Sequence, residues 1–171
     1  MSTHKGTQNE VGLAGEFHVL AQLLQRGYSA HPTLGNTKGM DILVVDQESG
    51  RMLKVEVKTA RHALHAPTKR AWWKWPLSSR AEELGCPNLV YCFVHLGEVG
   101  VLPRFFLVPS EVVADHCSRE HAEWVAASPE GKRELRLSTA IRNFWFYDDA
   151  NSYENAWDLL ERKLAAEPGH G

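Results

Sequence analysis

Along the first third of the chain the spacing of apolar residues changes period twice. From Val11 to Arg26 the residues Leu13, Phe17, Leu20 and Leu24 recur at steps of four, three and four. That is one face of an amphipathic helix, with Gly27 standing where a helix C-terminus favours positive φ. The spacing predicts that this stripe faces the core. Tyr28 to Thr33 reads as a short strand, Gly35 to Gly39 as a turn, and Met40 to Val45 as a buried strand. After the tight connection "DQESG", Arg51 to Ala60 alternates Leu53, Val55 and Val57 with Lys54, Glu56 and Lys58. A period of two marks a strand with one apolar and one polar face, and the two runs are expected to pair as a hairpin.

Asn88 to Leu96 and Arg104 to Val108 read as two further strands around the turn-like "GEVGVLP". Ser110 is the expected N-cap of a helix over Glu111 to Ser128, and Ser152 the opening of a helix over Tyr153 to Ala166. Trp124 and Trp157 fall in these helical patterns as core anchors, and the tail over residues 166–171 is expected to fray. The element order, without repeat or linker, predicts one α/β domain over residues 1–171, a mixed central sheet flanked by helices.

Composition adds bounds. A chain of 171 residues that is 43% hydrophobic can bury a real core. No apolar run approaches the roughly 20 residues of a membrane span, and the start lacks a secretory layout, so no membrane partner and a cytoplasmic location are expected. Cys86, Cys92 and Cys117 are odd in number and form no CxxC pair, which suits reduced thiols. A net charge of −2 and a pI near 6.5 give no global attraction to a polyanion, so a nucleic-acid partner requires a local patch.

Such a patch is present. From Val57 to Ala81 there is no acidic residue, while Lys58, Arg61, Lys69, Arg70, Lys74 and Arg80 interleave with Trp72, Trp73 and Trp75. "KRAWWKWP" suits a loop gripping distorted or single-stranded nucleic acid, with Arg61, Lys69, Arg70 and Lys74 on phosphates and Trp72 and Trp73 on bases. The same tryptophans equally suit a core or a dimer interface.

Four charges interrupt the apolar patterns. Glu16 comes three residues after Leu13 and four before Leu20, at the edge of the helical stripe; Asp41 starts an otherwise apolar strand; Glu56 and Lys58 share one strand face. Singly, each has a structural reading: a helix-edge glutamate, a turn-capping aspartate, a solvated strand face. Jointly, two carboxylates on adjacent strands can share a hard divalent cation, beside a lysine that supplies positive charge to a phosphate or an attacking water.

These residues carry a resemblance. Gly39-Met40-Asp41-Ile42-Leu43-Val44, a short connection, and Val55-Glu56-Val57-Lys58, preceded by a helix bearing Glu16, resemble the PD-(D/E)XK nuclease superfamily, with a layout similar to archaeal-type Holliday junction resolvases. The likeness spans residues 11–60, and Met40 stands where the motif's name places proline. It implies a restriction-endonuclease-like core in which Asp41, Glu56 and the Val57 carbonyl hold Mg²⁺ or Mn²⁺. Lys58 would orient the water and stabilise developing charge, and Glu16 would act from the helix side.

The leading expectation is a metal-dependent DNA endonuclease, on branched or junction DNA in the resolvase reading, working as a homodimer. Its two-fold contact would lie at Trp72 to Trp75 or at Ile141 to Tyr147. A binding module that keeps the nuclease core without catalysis is the alternative, and an α/β domain whose acids are structural is a third.

Overall fold

The computed structural model describes residues 6–33, 39–66, 70–129 and 131–166. Helix α1 (Gln8–Gln25) opens with a capping box: the Thr7 hydroxyl accepts the Glu10 N–H, and the Glu10 carboxylate accepts the Thr7 N–H at 2.6 Å. It ends before Gly27, whose φ is +83°. The strands, in chain order, are β1 (Ser29–Pro32), β2 (Ile42–Val45), β3 (Met52–Ala60), β4 (Leu64–His65), β5 (Trp72–Ser78), β6 (Leu89–His95), β7 (Arg104–Pro109) and β8 (Ile141–Tyr147). Helices α2 (Ser110–Ala126), α3 (Arg133–Leu137) and α4 (Asp158–Ala165) complete the chain.

The main sheet runs β1-β2-β3-β6-β7, with β3 and β6 parallel and the other neighbours antiparallel; β2 and β3 form the expected hairpin. A smaller sheet, β4-β5-β8, packs beside it. Alternation along β3 and β6 divides the interior into two cores. On one face Val19 and Leu23 of α1 and Leu160 and Leu164 of α4 cover Leu53, Val55 and Val57. On the other, Tyr91, Phe93 and Phe106 meet Trp73, Trp75, Phe144 and Phe146 of the small sheet. Among the described residues no helix is long and apolar enough to cross a membrane.

Several expectations are corrected. The α1 stripe of Leu13, Phe17 and Leu24 faces outward, at 51, 59 and 53% exposure, and the buried face is Gly15, Val19 and Leu23. The cause is steric. A Cβ on Gly15 would lie 1.8 Å from the Thr59 hydroxyl oxygen and 2.8 Å from its Cβ. The helix therefore approaches β3 only along the face that has no side chain at that turn. Ser110 is the first residue of α2 rather than its cap; its buried hydroxyl donates to the Cys86 carbonyl at 2.7 Å and accepts the Cys86 N–H at 2.9 Å. The last helix starts at Asp158 instead of Tyr153, because Glu154 bridges Phe106 and Asn155 takes φ +52°, which a right-handed helix cannot hold. Trp124 is 43% exposed, whereas Trp157 is buried as expected.

Candidate active site

The β2–β3 ladder ends in an irregularity that places Asp41. Gly39, at φ +86°, turns the chain into this strand. The Thr33 N–H and hydroxyl then hold the Asp41 and Met40 carbonyls at 2.9 and 2.8 Å. Asp41 donates its N–H to the Val55 carbonyl at 3.0 Å, although Val55 is already the ladder partner of Ile42. Two residues thus stand against one, the arrangement of a β-bulge, which re-aims a side chain. The Asp41 carboxylate turns to β3, where Oδ2 accepts the Val57 N–H at 2.6 Å.

Glu56 and Lys58 lie on one face of β3 as alternation requires, and the Lys58 ammonium meets Glu56 Oε1 at 2.5 Å. Glu56 is 8% exposed, and its Oε2 is buried without a hydrogen-bond partner. A buried carboxylate oxygen left unpaired is costly. Burial pushes the Glu56 carboxyl above its ordinary range; Lys58 pulls it back and the Asp41 charge pushes it further up.

Glu16 approaches from α1, one residue past the contact of Gly15 with Thr59. Partial burial raises its pKa first, then the Asp41 charge, while Lys58 opposes and Glu56 adds to the rise. The structure therefore brings Glu16, Asp41, Glu56 and Lys58 into one electrostatic neighbourhood.

Two members of this neighbourhood had no assigned role in the sequence. Tyr91 is the ladder neighbour of Glu56 on β6, 2% exposed, its hydroxyl pKa raised by burial and then by the Glu56 charge. Arg80, on the 3-10 turn Ser79–Glu82, pulls down the pKa of both. Gly39, Glu56, Lys58, Ser78, Arg80 and Tyr91 line a cavity of about 50 Å³. Tyr91 sits within a continuous apolar run, which gives no signal, and Arg80 was one cation among several.

The nucleic-acid residues expected from "KRAWWKWP" are scattered by a strand. In β5, Trp73, Trp75 and Leu77 point inward, and Trp72, Lys74 and Pro76 outward. Trp73 is fully buried against Phe106 at 4.9 Å, with its N–H donated to Asp148 Oδ1 at 2.6 Å, so it cannot stack on a base. Trp72 is 37% exposed. Arg70 is clamped to Asp149 through both carboxylate oxygens and lies 3.6 Å over the Tyr147 ring. Arg61 and Lys74 are half-buried, and Lys69 lies outside the described residues. Ile141 to Tyr147 is β8, with Arg142, Phe144 and Phe146 interior and Ile141 exposed, so only the outer residues of the tryptophan-rich and late segments are open to solvent.

Among the described residues no group of three or more His, Cys, Asp or Glu side chains is placed to hold a metal ion. What the site offers a cation is Asp41 and Glu56 on neighbouring strands, with main-chain oxygens beside them.

No model of a protein family matches the chain, and a search of the curated proteins gives no match. Among solved structures the chain is similar to the bacterial homing endonuclease I-Ssp6803I, with a TM-score of 0.50 and 16% identity over 94% of this chain and 96% of that one. At this identity the likeness carries the fold, and it gives no support to a resolvase layout. The mixed five-stranded sheet with its flanking helices is a restriction-endonuclease-like fold.

Proposed function

We propose that this chain is a DNA endonuclease that hydrolyses phosphodiester bonds with Mg²⁺ or Mn²⁺ held by Asp41, Glu56 and the Val57 carbonyl. The observation that carries the reading is Glu56 Oε2, buried without a partner next to Asp41 and Lys58. A hard cation with a preference for oxygen fits that donor set. When bound, it supplies Lewis-acid polarisation of a phosphoryl oxygen and a lowered water pKa. Asp41 is locked by the Val57 N–H, so its free orientation is already lost before a ligand arrives. Lys58 leaves Glu56 to hold the attacking water and the charge growing on phosphate, and Arg80 across the cavity receives the phosphate. Glu16, with its raised pKa, is suited to take a proton from that water.

One such site cuts one strand, so coordinated cutting calls for two copies. The contact is assigned to the outer stripe of α1, Leu13, Phe17 and Leu24, whose steps of four and seven match the seam of a helix pair. A symmetric pair suits a palindromic or branched substrate. The alternative, a binding module that has lost catalysis, draws on the Lys58–Glu56 contact, which closes one of the two Glu56 oxygens. Calorimetric titration with Mg²⁺ and Mn²⁺ separates the two readings. The nuclease reading expects binding that Glu56→Gln weakens at least tenfold, and no heat of binding in the wild type would favour the module.

A further inference from the structure

A second cavity, of about 470 Å³, opens on the outer face of the β5–β8 pair beneath the C-terminal half of α2. Its size suits a small-molecule or nucleotide subsite. It lies outside the Glu56–Lys58 site, and its walls include Trp124, Trp145, Lys74, Glu120 and His121.

The two indoles are held and still accessible. Trp145 donates its N–H to Glu120 Oε2 at 2.9 Å and is braced edge-on by His116 and Tyr147, at 80° and 81°. Trp124 is 43% exposed with the Arg136 guanidinium 4.5 Å over its ring. Lys74 is the ladder partner of Trp145 and lines the same cavity, and it makes no ion pair among the described residues. Aromatic faces, the Lys74 ammonium and a carboxylate acceptor together match a base, its phosphate and a base N–H donor. A paired base inside a duplex cannot present its face to an indole.

The two cavities share a wall. Leu77 and Ser78 line the Glu56–Lys58 cavity, and their ladder partners Arg142 and Ile141 line this one. Paired strands lie about 5 Å apart, so the two cavities meet across one strand pair, with Trp145 three residues further along β8 than Arg142.

We infer that this cavity seats an unpaired nucleotide of a DNA strand, making the preferred substrate one with a single-stranded segment beside the scissile bond. The inference rests on the nucleic-acid reading above. The test is fluorescence anisotropy with labelled oligo(dT) of about 12 nucleotides, within the site sizes of single-strand binders, against a blunt duplex and oligo(rU). Trp145→Ala and Lys74→Ala should each weaken oligo(dT) binding about tenfold with duplex binding and circular dichroism unchanged, while Trp145→Phe retains binding. Equal losses on duplex and single strand, or Lys74→Ala and Trp145→Ala binding as well as wild type, would overturn the inference. A preference for oligo(rU) over oligo(dT) would overturn it in favour of RNA. Loss of oligo(dT) binding in a wild-type protein that still cuts duplex DNA rejects this cavity and leaves the nuclease reading standing; retained, variant-sensitive binding in a protein that cuts nothing rejects only the nuclease reading.

Discussion

The Asp41 carboxylate accepts the Val57 main-chain N–H at 2.6 Å, so a side chain occupies a ladder position that a backbone carbonyl normally fills. Burial raises the pKa of both Glu16 and Glu56, and that bond fixes a negative charge on the boundary between α1 and β3 that adds to the rise. The site is electrostatically loaded by its own fold, and most of the expected behaviour follows from that load.

The first consequence concerns stability and pH. Glu56 has a folded pKa above its ordinary 4.5, so the folded state binds this proton more tightly than the unfolded chain does. Its ionisation therefore costs stability as pH rises through the raised pKa, and the cost is absent well below pH 4.5. Glu56→Gln should melt higher than wild type at pH 7 in EDTA, and the two should converge at low pH. Thermal melts across pH check this; a variant that melts lower at pH 7 would show that the Lys58 contact outweighs the burial of the charge.

Packing at Gly15 gives an opposed pair of effects. Glycine to alanine in a helix gains about 1 kcal/mol of propensity, but the added carbon would sit 1.8 Å from the Thr59 oxygen. Overpacking of this kind costs about 1–3 kcal/mol, so Gly15→Ala should be destabilising in urea titration. Adding Thr59→Ala should recover part of the loss, because it removes the two side-chain atoms beyond Cβ.

The neighbouring tryptophans should separate cleanly. Trp73, buried and hydrogen-bonded to Asp148, should cost about 3–5 kcal/mol on truncation to alanine. Trp72, 37% exposed on the outer face, should cost less than about 1 kcal/mol. Denaturant midpoints decide it, and equal losses would contradict the strand register of β5.

Arg80 is exposed at the rim of the cavity that Glu56 and Lys58 line, and its charge bears on Glu56. Arg80→Ala should leave stability within about 0.5 kcal/mol while reducing the salt slope of DNA binding by about one. An unchanged slope would place the phosphate elsewhere.

The hairpin and its charges were legible because a period of two is strictly local: the positions of Glu56 and Lys58 follow from their neighbours Val55 and Val57. The buried face of α1 was not, since glycine at position 15 carries no hydrophobic signal while Leu13 and Phe17 carry a strong one. The alternation of Trp73, Trp75 and Leu77 was present in the sequence, but β5 is stabilised by β8, about 70 residues later, and a strand without a visible partner reads as a loop. Tyr91 reaches Glu56 only through the parallel β3–β6 pairing, a contact that no window of sequence contains.

The central claim is tested most directly by cleavage. Labelled duplex and forked DNA should be cut by wild-type protein in Mg²⁺ or Mn²⁺ and left intact in EDTA. Asp41→Asn and Glu56→Gln should lower the rate by about two orders of magnitude or more while DNA binding persists. Cleavage by Glu56→Gln at the wild-type rate, or no cutting of any substrate by folded, metal-loaded wild type, would contradict the account.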